Sequence, residues 1–316
     1  MKIIVADAAT LGADLDLSPL SLLGEVEIYA ATPKEEVAAR FAGADVAVVN
    51  KIRIDRETLG EHPTLKMVAE CATGYDNIDL GYCREKGIAV ANVKSYSTDS
   101  VAQLTLAMAL SLSTHLPEFT DHVASGAYTR GGVANRLTPV FHELRGKTWG
   151  IAGYVNIGRQ VAAAASALGC RVLAFARTPK EGVETVGCLD ELCRRSDILS
   201  IHLPLTPETR GLFGAREIAL MKSDAILINV ARGAVTDEAA LAAAVREGRL
   251  GGLGVDVYAV EPFPETHPFY AIRHLPNVCL TPHMAWGAQE ARARCLAEIC
   301  ENIRAFAEGR RRNRVD

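Results

Sequence analysis

Apolar residues along this chain fall into short, often β-branched runs, separated by Ala- and Leu-rich stretches whose apolar positions recur every three or four residues. In the first third, KIIVADA, VEIYA, DVAVVN, LKMVAEC and IAVANV read as strands. PKEEVAARFAG and NIDLGYCREKG, lying between them, read as helices that end at glycine. Continuous apolar strands interleaved with helices imply a parallel sheet covered on both faces. STDSVAQLTLAMALSLSTHL then predicts a long helix opened by a Ser/Thr/Asp capping cluster. Over residues 117–146 the periodicity fades and Gly, Thr and Arg accumulate, which predicts an irregular arm. KTWGIAGY, RVLAFA, ILSIHLPL, AILINVA, GLGVDV and NVCLTPH begin a second strand–helix series, a doubly wound sheet of the size a dinucleotide-binding unit needs. Residues 288–309 read as an amphipathic helix with Leu296, Ile299, Ile303 and Phe306 on one face.

Composition narrows the class. A length of 316 residues implies about two domains, and 49% hydrophobic with 23% charged residues is the mix of a globular protein with a real core. A net charge of -4 provides no basic field for nucleic acid or an anionic membrane surface. Arg310, Arg311, Arg312 and Arg314 form the one basic cluster, expected to be a solvated tail. No apolar run has the length of a bilayer span, and MKIIVADAA starts as a strand and not as a signal peptide. The eight cysteines occur singly, without a Cys-x-x-Cys pair or metal-like spacing to histidine. A reduced cytoplasmic protein without a metal is the expectation.

Between the strand KTWGIAG and the helix IGRQVAAAASALG lies Gly150-Ile-Ala-Gly153-Tyr154-Val155-Asn156-Ile157-Gly158. A strand end feeding a helix N-terminus is where a Gly-rich phosphate loop belongs. A G-x-G-x-x-G fingerprint would place its second glycine, the one that lets backbone approach the pyrophosphate, where Val155 stands. A tight turn in a non-binding domain would carry the same two remaining glycines, so the loop alone leaves both readings open. The next strand ends at Ala176-Arg177-Thr178, where an NAD site carries an acidic residue for the ribose hydroxyl. A neutral residue beside an arginine suits a 2′-phosphate and tilts the expectation toward NADP. A surface arginine in a loop is the plain alternative.

Three further strand ends each carry a functional group, at the edge of a parallel sheet where ligands bind. NVARGAVTDEAAL supplies Arg232, whose planar fork can hold a carboxylate by paired hydrogen bonds. GVDVYAVEP supplies Asp256 and Glu261. NVCLTPH supplies His283, a side chain suited to trade protons near neutrality. Each alone has a structural explanation: a surface arginine, a turn glutamate before proline, a satisfied histidine. Their occurrence together, in this order, carries the functional reading.

CATGYDNIDL, STDSVAQLTLAMAL, GIAGYVNIGRQVA, HLPLTPETRGL, NVARGAVTDEAAL, GVDVYAVEP and NVCLTPH together resemble the D-2-hydroxyacid dehydrogenase family over essentially the whole chain. Asn50-Lys51 and TPHMAWGAQEARAR are most similar to its glycerate dehydrogenase (hydroxypyruvate reductase) branch. The resemblance implies an α/β fold of two doubly wound parallel-sheet lobes with a cleft between them. Residues 1–98 plus 287–316 would form a flavodoxin-like substrate lobe and 99–286 a Rossmann dinucleotide-binding lobe. It implies that Arg232 binds the substrate carboxylate and keto oxygen, that His283 is the general acid and base, and that Glu261 orients the imidazole and favours its charged form. Lys51, Thr73 and Gly74 would bind substrate, the last two through backbone N–H groups. Gly153, Tyr154, Val155, Asn156, Ile157, Arg177, Thr178, Pro204, Thr209, Val230, Ala231, Arg232, Asp256 and His283 would line an NAD(P)(H) groove, with Asp256 and the Ala231 carbonyl on the nicotinamide amide. No metal is needed, because arginine and histidinium supply positive charge. The arm at 118–145 matches the segment by which relatives dimerise. Val155 departs from the family pattern, as does Gln103, where many relatives carry glutamate. Two other readings stand beside a hydroxypyruvate or glyoxylate reductase: a D-lactate-type reductase, and a nucleotide-sensing binding protein that has kept the fold.

Overall fold

A computed structural model describes residues 1–61 and 63–316. The chain forms two compact units, Met1–Ser97 with Gly287–Asp316, and Thr98–Trp286. In the first, β1 (Lys2–Val5), β2 (Glu25–Ile28), β3 (Val46–Val49), β4 (Met67–Glu70) and β5 (Ala89–Ala91) make an all-parallel sheet of order β2-β1-β3-β4-β5. Ile3 pairs with Val46 and Val48 with Ala69, which sets β3 and β4, every residue buried, in the middle of the sheet. Burial on both faces is why these strands lack polar alternation. Val37, Phe41 and Tyr82 pack with Ile4, Val49 and Val68, and the long helix Gln289–Ala307 packs on β4, burying Leu296, Ile299 and Ile303.

The basic C-terminus is docked in part: Arg310 and Arg311 are exposed, as expected of a solvated tail, but the residues after them are held. Val315 donates its N–H to the Val90 carbonyl, Arg312 pairs with Glu298 at 2.8 Å, and Arg314 pairs with Asp316 at 2.5 Å. Carboxylates within reach turn a run of like charge into ordered structure, which the run itself does not disclose.

The second unit holds β6 (Thr148–Ala152), β7 (Arg171–Phe175), β8 (Glu184–Val186), β9 (Ile198–Ile201), β10 (Ile226–Asn229), β11 (Gly252–Val255) and β12 (Val278–Leu280). They form a parallel sheet of order β12-β11-β10-β9-β6-β7-β8. The winding reverses between β6 and β9, and such a switch point opens a crevice at the carboxyl ends of the strands. Val101, Met108 and Leu112 of the helix Thr98–Ser113 pack with Trp149, Ile151 and Val161; a separate core joins Leu192, Ile201, Phe213, Leu227, Leu241 and Phe269. Two doubly wound α/β units result, the fold class expected. The arm differs from its expectation: residues Leu116–Ala124 and Ala127–Gly131 are helical, and only the part beyond them lacks regular structure. Its helices bury no residue of this chain; Leu116, Phe119 and Val123 of the first share one face at helical spacing, a signal obscured by the Gly, Thr and Arg that follow.

Candidate active site

β6 runs into Gly153, whose φ of 103° only glycine adopts without strain, and the helix Asn156–Ala167 follows. A Cβ at Gly153 would come within 2.8 Å of the His202 carbonyl carbon, and one at Gly158 would overlap the Gly153 carbonyl oxygen. Both glycines are therefore required by close packing of β6, β9 and the helix. Val155 is the helix N-cap, with an extended φ of -119° that suits any residue, and its side chain is 59% exposed. A groove of about 430 Å³ lies here, lined by Tyr154, Val155, Asn156, Arg159, Lys180 and Glu181. Arg177 and Thr178 are exposed at the end of β7. A helix N-terminus, glycine-enforced backbone approach and two lining cations fit a dinucleotide's phosphates. Lys180 was not singled out in the sequence, because its place in the groove depends on how the chain turns after β7.

Beside Gly153, the C-terminal end of β9 carries His202, buried, with its Nε2 2.9 Å from the Ser200 hydroxyl. That hydroxyl also accepts the indole N–H of Trp149 at 3.0 Å. Burial pushes the His202 imidazole down to about 3, so it is neutral at physiological pH. The loop that follows closes on itself through Thr209 Oγ1 donating to the Pro204 carbonyl at 2.7 Å.

Arg232 sits on the loop after β10. Asn229, fully buried at the strand end, accepts the Ala231 N–H at 3.0 Å through its amide oxygen and donates to the Arg232 carbonyl at 2.9 Å. The guanidinium Nη1 donates to the Ala231 carbonyl at 2.8 Å, and Val230 is buried. A Cβ at Gly233 would overlap the Tyr258 backbone, so this loop and the turn after β11 touch backbone to backbone.

That turn carries Glu261. One carboxylate oxygen accepts the Tyr258 N–H at 2.9 Å; the other lies 2.6 Å from His283 Nδ1. The paired side chains are about a quarter exposed, 28% for Glu261 and 22% for His283. His283 itself adopts φ 52°, a left-handed conformation that costs a non-glycine residue about 1–2 kcal/mol. Asp256 holds it there. Its buried carboxylate accepts the Thr281 hydroxyl at 2.6 Å, the Met284 N–H at 2.9 Å and the Ala285 N–H at 2.9 Å, so it grips the chain on either side of the histidine. Burial raises the Asp256 carboxyl above its ordinary value, and those three bonds offset part of the rise. Asp256, expected as a nicotinamide contact, is in this structure also a buried support of the histidine loop.

In the first unit, the three expected substrate contacts stand at the carboxyl ends of β3 and β4. The Lys51 backbone N–H donates to Asp7 at 2.6 Å. Thr73 donates its hydroxyl to the Val93 carbonyl at 2.8 Å, and its own carbonyl accepts from Asn92 at 2.7 Å, which fixes the turn that leads to Gly74. Among the described residues no group of three His, Cys, Asp or Glu side chains could hold a metal, and no helix is long and apolar enough to cross a membrane.

A parallel sheet's switch point, a glycine-constrained strand-to-helix loop and an Arg, Glu and His set on neighbouring strand ends fit a nicotinamide-dependent oxidoreductase. The chain belongs to the D-isomer-specific 2-hydroxyacid dehydrogenases: residues 106–285 match that family's NAD-binding domain. It is an enzyme of that kind, acting on a CH–OH group. It is 34% identical to a glycerate dehydrogenase of Methylorubrum extorquens, covering 100% of this chain and 99% of the relative. It is 35% identical to a hydroxypyruvate reductase of Blautia hydrogenotrophica, covering 98% of each. A crystal structure of Aquifex aeolicus D-lactate dehydrogenase with NAD and lactic acid superposes with a TM-score of 0.85 at 29% identity, covering 98% of this chain and 96% of that one.

Proposed function

We propose that this enzyme reduces hydroxypyruvate or glyoxylate to D-glycerate or glycolate, and oxidises those products in the reverse direction. The observation that carries the chemistry is the 2.6 Å pairing of His283 Nδ1 with Glu261. It assigns the ring's Nδ1–H to the carboxylate and leaves Nε2 as the nitrogen that exchanges a proton with substrate. Arg232 grips the substrate carboxylate through paired N–H groups and polarises the C2 carbonyl. The bound nicotinamide supplies the hydride that C2 receives. As negative charge gathers on the carbonyl oxygen, His283 delivers the Nε2 proton to it; in the reverse direction neutral His283 takes the hydroxyl proton. Lys51, Thr73 and Gly74 are the groups proposed to set substrate position from residues 1–98 plus 287–316, the substrate domain, while 99–286 serves as the dinucleotide-binding domain.

The substrate choice rests on full-length similarity to a glycerate dehydrogenase and a hydroxypyruvate reductase. The D-lactate reading rests on the likeness to the Aquifex aeolicus enzyme. Initial rates with hydroxypyruvate, glyoxylate and pyruvate at equal dinucleotide separate them. The proposal requires hydroxypyruvate or glyoxylate to have the highest specificity constant; a pyruvate optimum overturns it, and dinucleotide binding without turnover favours the sensing reading.

NADP is proposed over NAD because Ala176 offers no carboxylate to a ribose hydroxyl, Arg177 stands exposed beside it, and Arg159 and Lys180 line the adjoining groove. Glu181 is the one acidic residue in that lining and works against a 2′-phosphate. Arg177→Ala is expected to weaken NADPH far more than NADH; strong NADH preference in the native enzyme refutes the reading. A homodimer through the Rossmann domain and the arm at 118–145 is proposed because Val123, Val133, Leu137, Val140 and Phe141 are exposed in that arm. Sedimentation of a Leu137→Glu, Val140→Glu variant as a monomer supports it, and an unchanged native monomer contradicts it. A cytoplasmic setting is proposed from the eight singly spaced cysteines.

A further inference from the structure

We propose that Glu238 and His267 form a positioning pair that holds the turn 258–261 so that Glu261 meets His283. Its kinetic consequence rests on the dehydrogenase reading above. Glu238 is the first residue of the helix Glu238–Arg246, whose N-terminus Asp237 caps by accepting the Ala240 N–H at 3.0 Å. One Glu238 carboxylate oxygen accepts the Ala259 N–H at 2.9 Å, and the other lies 2.9 Å from His267 Nε2. His267 Nδ1 accepts the Phe269 N–H at 3.2 Å, which assigns the ring proton to Nε2 and aims it at Glu238. Phe263 stacks on the imidazole with ring centroids 4.8 Å apart and 29° between planes. The pair is nearly dry, its side chains 11% exposed for Glu238 and 7% for His267.

The turn is therefore closed from two sides. From within, Tyr258 N–H bonds Glu261; from behind, Ala259 N–H bonds Glu238. Tyr258 also donates its hydroxyl to the Thr281 carbonyl at 2.9 Å, which ties the turn to the strand end that bears His283. A buried carboxylate and imidazole stabilise a fold no better than apolar side chains of the same shape, so stability alone does not account for the pair. What it adds is direction. Glu238 lies on the segment that begins at Arg232, and through Ala259 it couples that segment to Glu261.

Glu238→Gln tests this. The amide oxygen still accepts the Ala259 N–H, but the amide nitrogen meets the His267 Nε2 proton donor to donor. The expected result is a kcat roughly 10- to 100-fold lower, the cost of a small misplacement of a reacting group. The dinucleotide KM should stay within about twofold. In the Glu261→Gln background the same change should cost little more, because the route through which it acts is already cut. A second readout needs no turnover: the His283 Nδ1 proton resonance, assigned by its loss in His283→Gln, should broaden or move upfield in Glu238→Gln. An unchanged resonance overturns the proposal, and so does a loss of kcat that is as large in the Glu261→Gln background. If the native protein turns over no 2-keto acid yet Glu238→Gln moves the resonance, the positioning stands and the dehydrogenase reading falls.

Discussion

Acid should loosen the cofactor-binding unit through one residue, His202. Its ring is buried beside Gly153, and burial holds it down to about 3, far below the ordinary histidine value of about 6.5. Nε2 has the Ser200 hydroxyl, whereas Nδ1 meets no hydrogen-bond partner among the described residues, so a second ring proton would be buried without an acceptor. The unfolded chain takes up that proton as the pH falls through about 6.5, and the folded chain takes it up only near the lowered value. Between those limits the unfolded state binds one more proton, and each pH unit of acidification removes about 1.4 kcal/mol of stability. From pH 7 to pH 5 the loss from this group is about 2 kcal/mol. His202→Gln removes the titration while offering Ser200 an amide, so its stability should fall by about 2 kcal/mol less over the same interval. Both tryptophans, Trp149 and Trp286, lie in the second unit, so urea unfolding followed by tryptophan fluorescence reads this unit. Parallel losses in the native and variant proteins would refute the reasoning.

Arg232→Lys should lower kcat/KM by a large factor, since an ammonium cannot make the two-pronged contact to a carboxylate; an unchanged value places the carboxylate elsewhere. Asp256→Asn turns a donor toward the Ala285 N–H and leaves a buried bond unmade, at about 1–3 kcal/mol, so kcat should fall roughly tenfold or more while dinucleotide affinity holds. Equal kinetics would remove Asp256 as the support of His283. Val155 lines the groove proposed to hold the phosphates, without straining its own backbone. Val155→Gly should therefore tighten dinucleotide binding by about 1 kcal/mol in titration calorimetry, with a small loss of stability, and no gain would show that valine suits the site.

Local pattern disclosed the fold where burial on both faces made strands continuously apolar, as in β3, β4 and β9. It failed where that signal is weak. β8 is three residues long with one buried, and its edge position lets polar side chains stand in it. The arm helices are short, nine and five residues, and the Gly, Thr and Arg around them read as loop. Within the site, Arg232, Glu261 and His283 were legible as chemistry-bearing residues at strand ends. Their supports were not. The sequence does not show that Asp256 also supports residues 281–285 through three bonds, and Glu238 meets His267 across 29 positions. Such partnerships depend on distances that a linear pattern does not encode. Val155 looked like an obstacle because the fingerprint wants glycine, yet its extended backbone shows that the loop keeps its course with a branched residue there.

The central claim is that His283, held by Glu261, protonates the keto oxygen of a small 2-keto acid. Stopped-flow mixing of reduced dinucleotide and hydroxypyruvate with the native enzyme and with His283→Ala tests it directly, with chiral analysis of the product. The native enzyme should consume dinucleotide and yield D-glycerate. His283→Ala should bind dinucleotide with near-native affinity and react roughly 10²- to 10⁴-fold more slowly. Native-like rates in the variant, or no dinucleotide consumption by the native enzyme with any 2-keto acid, would contradict it.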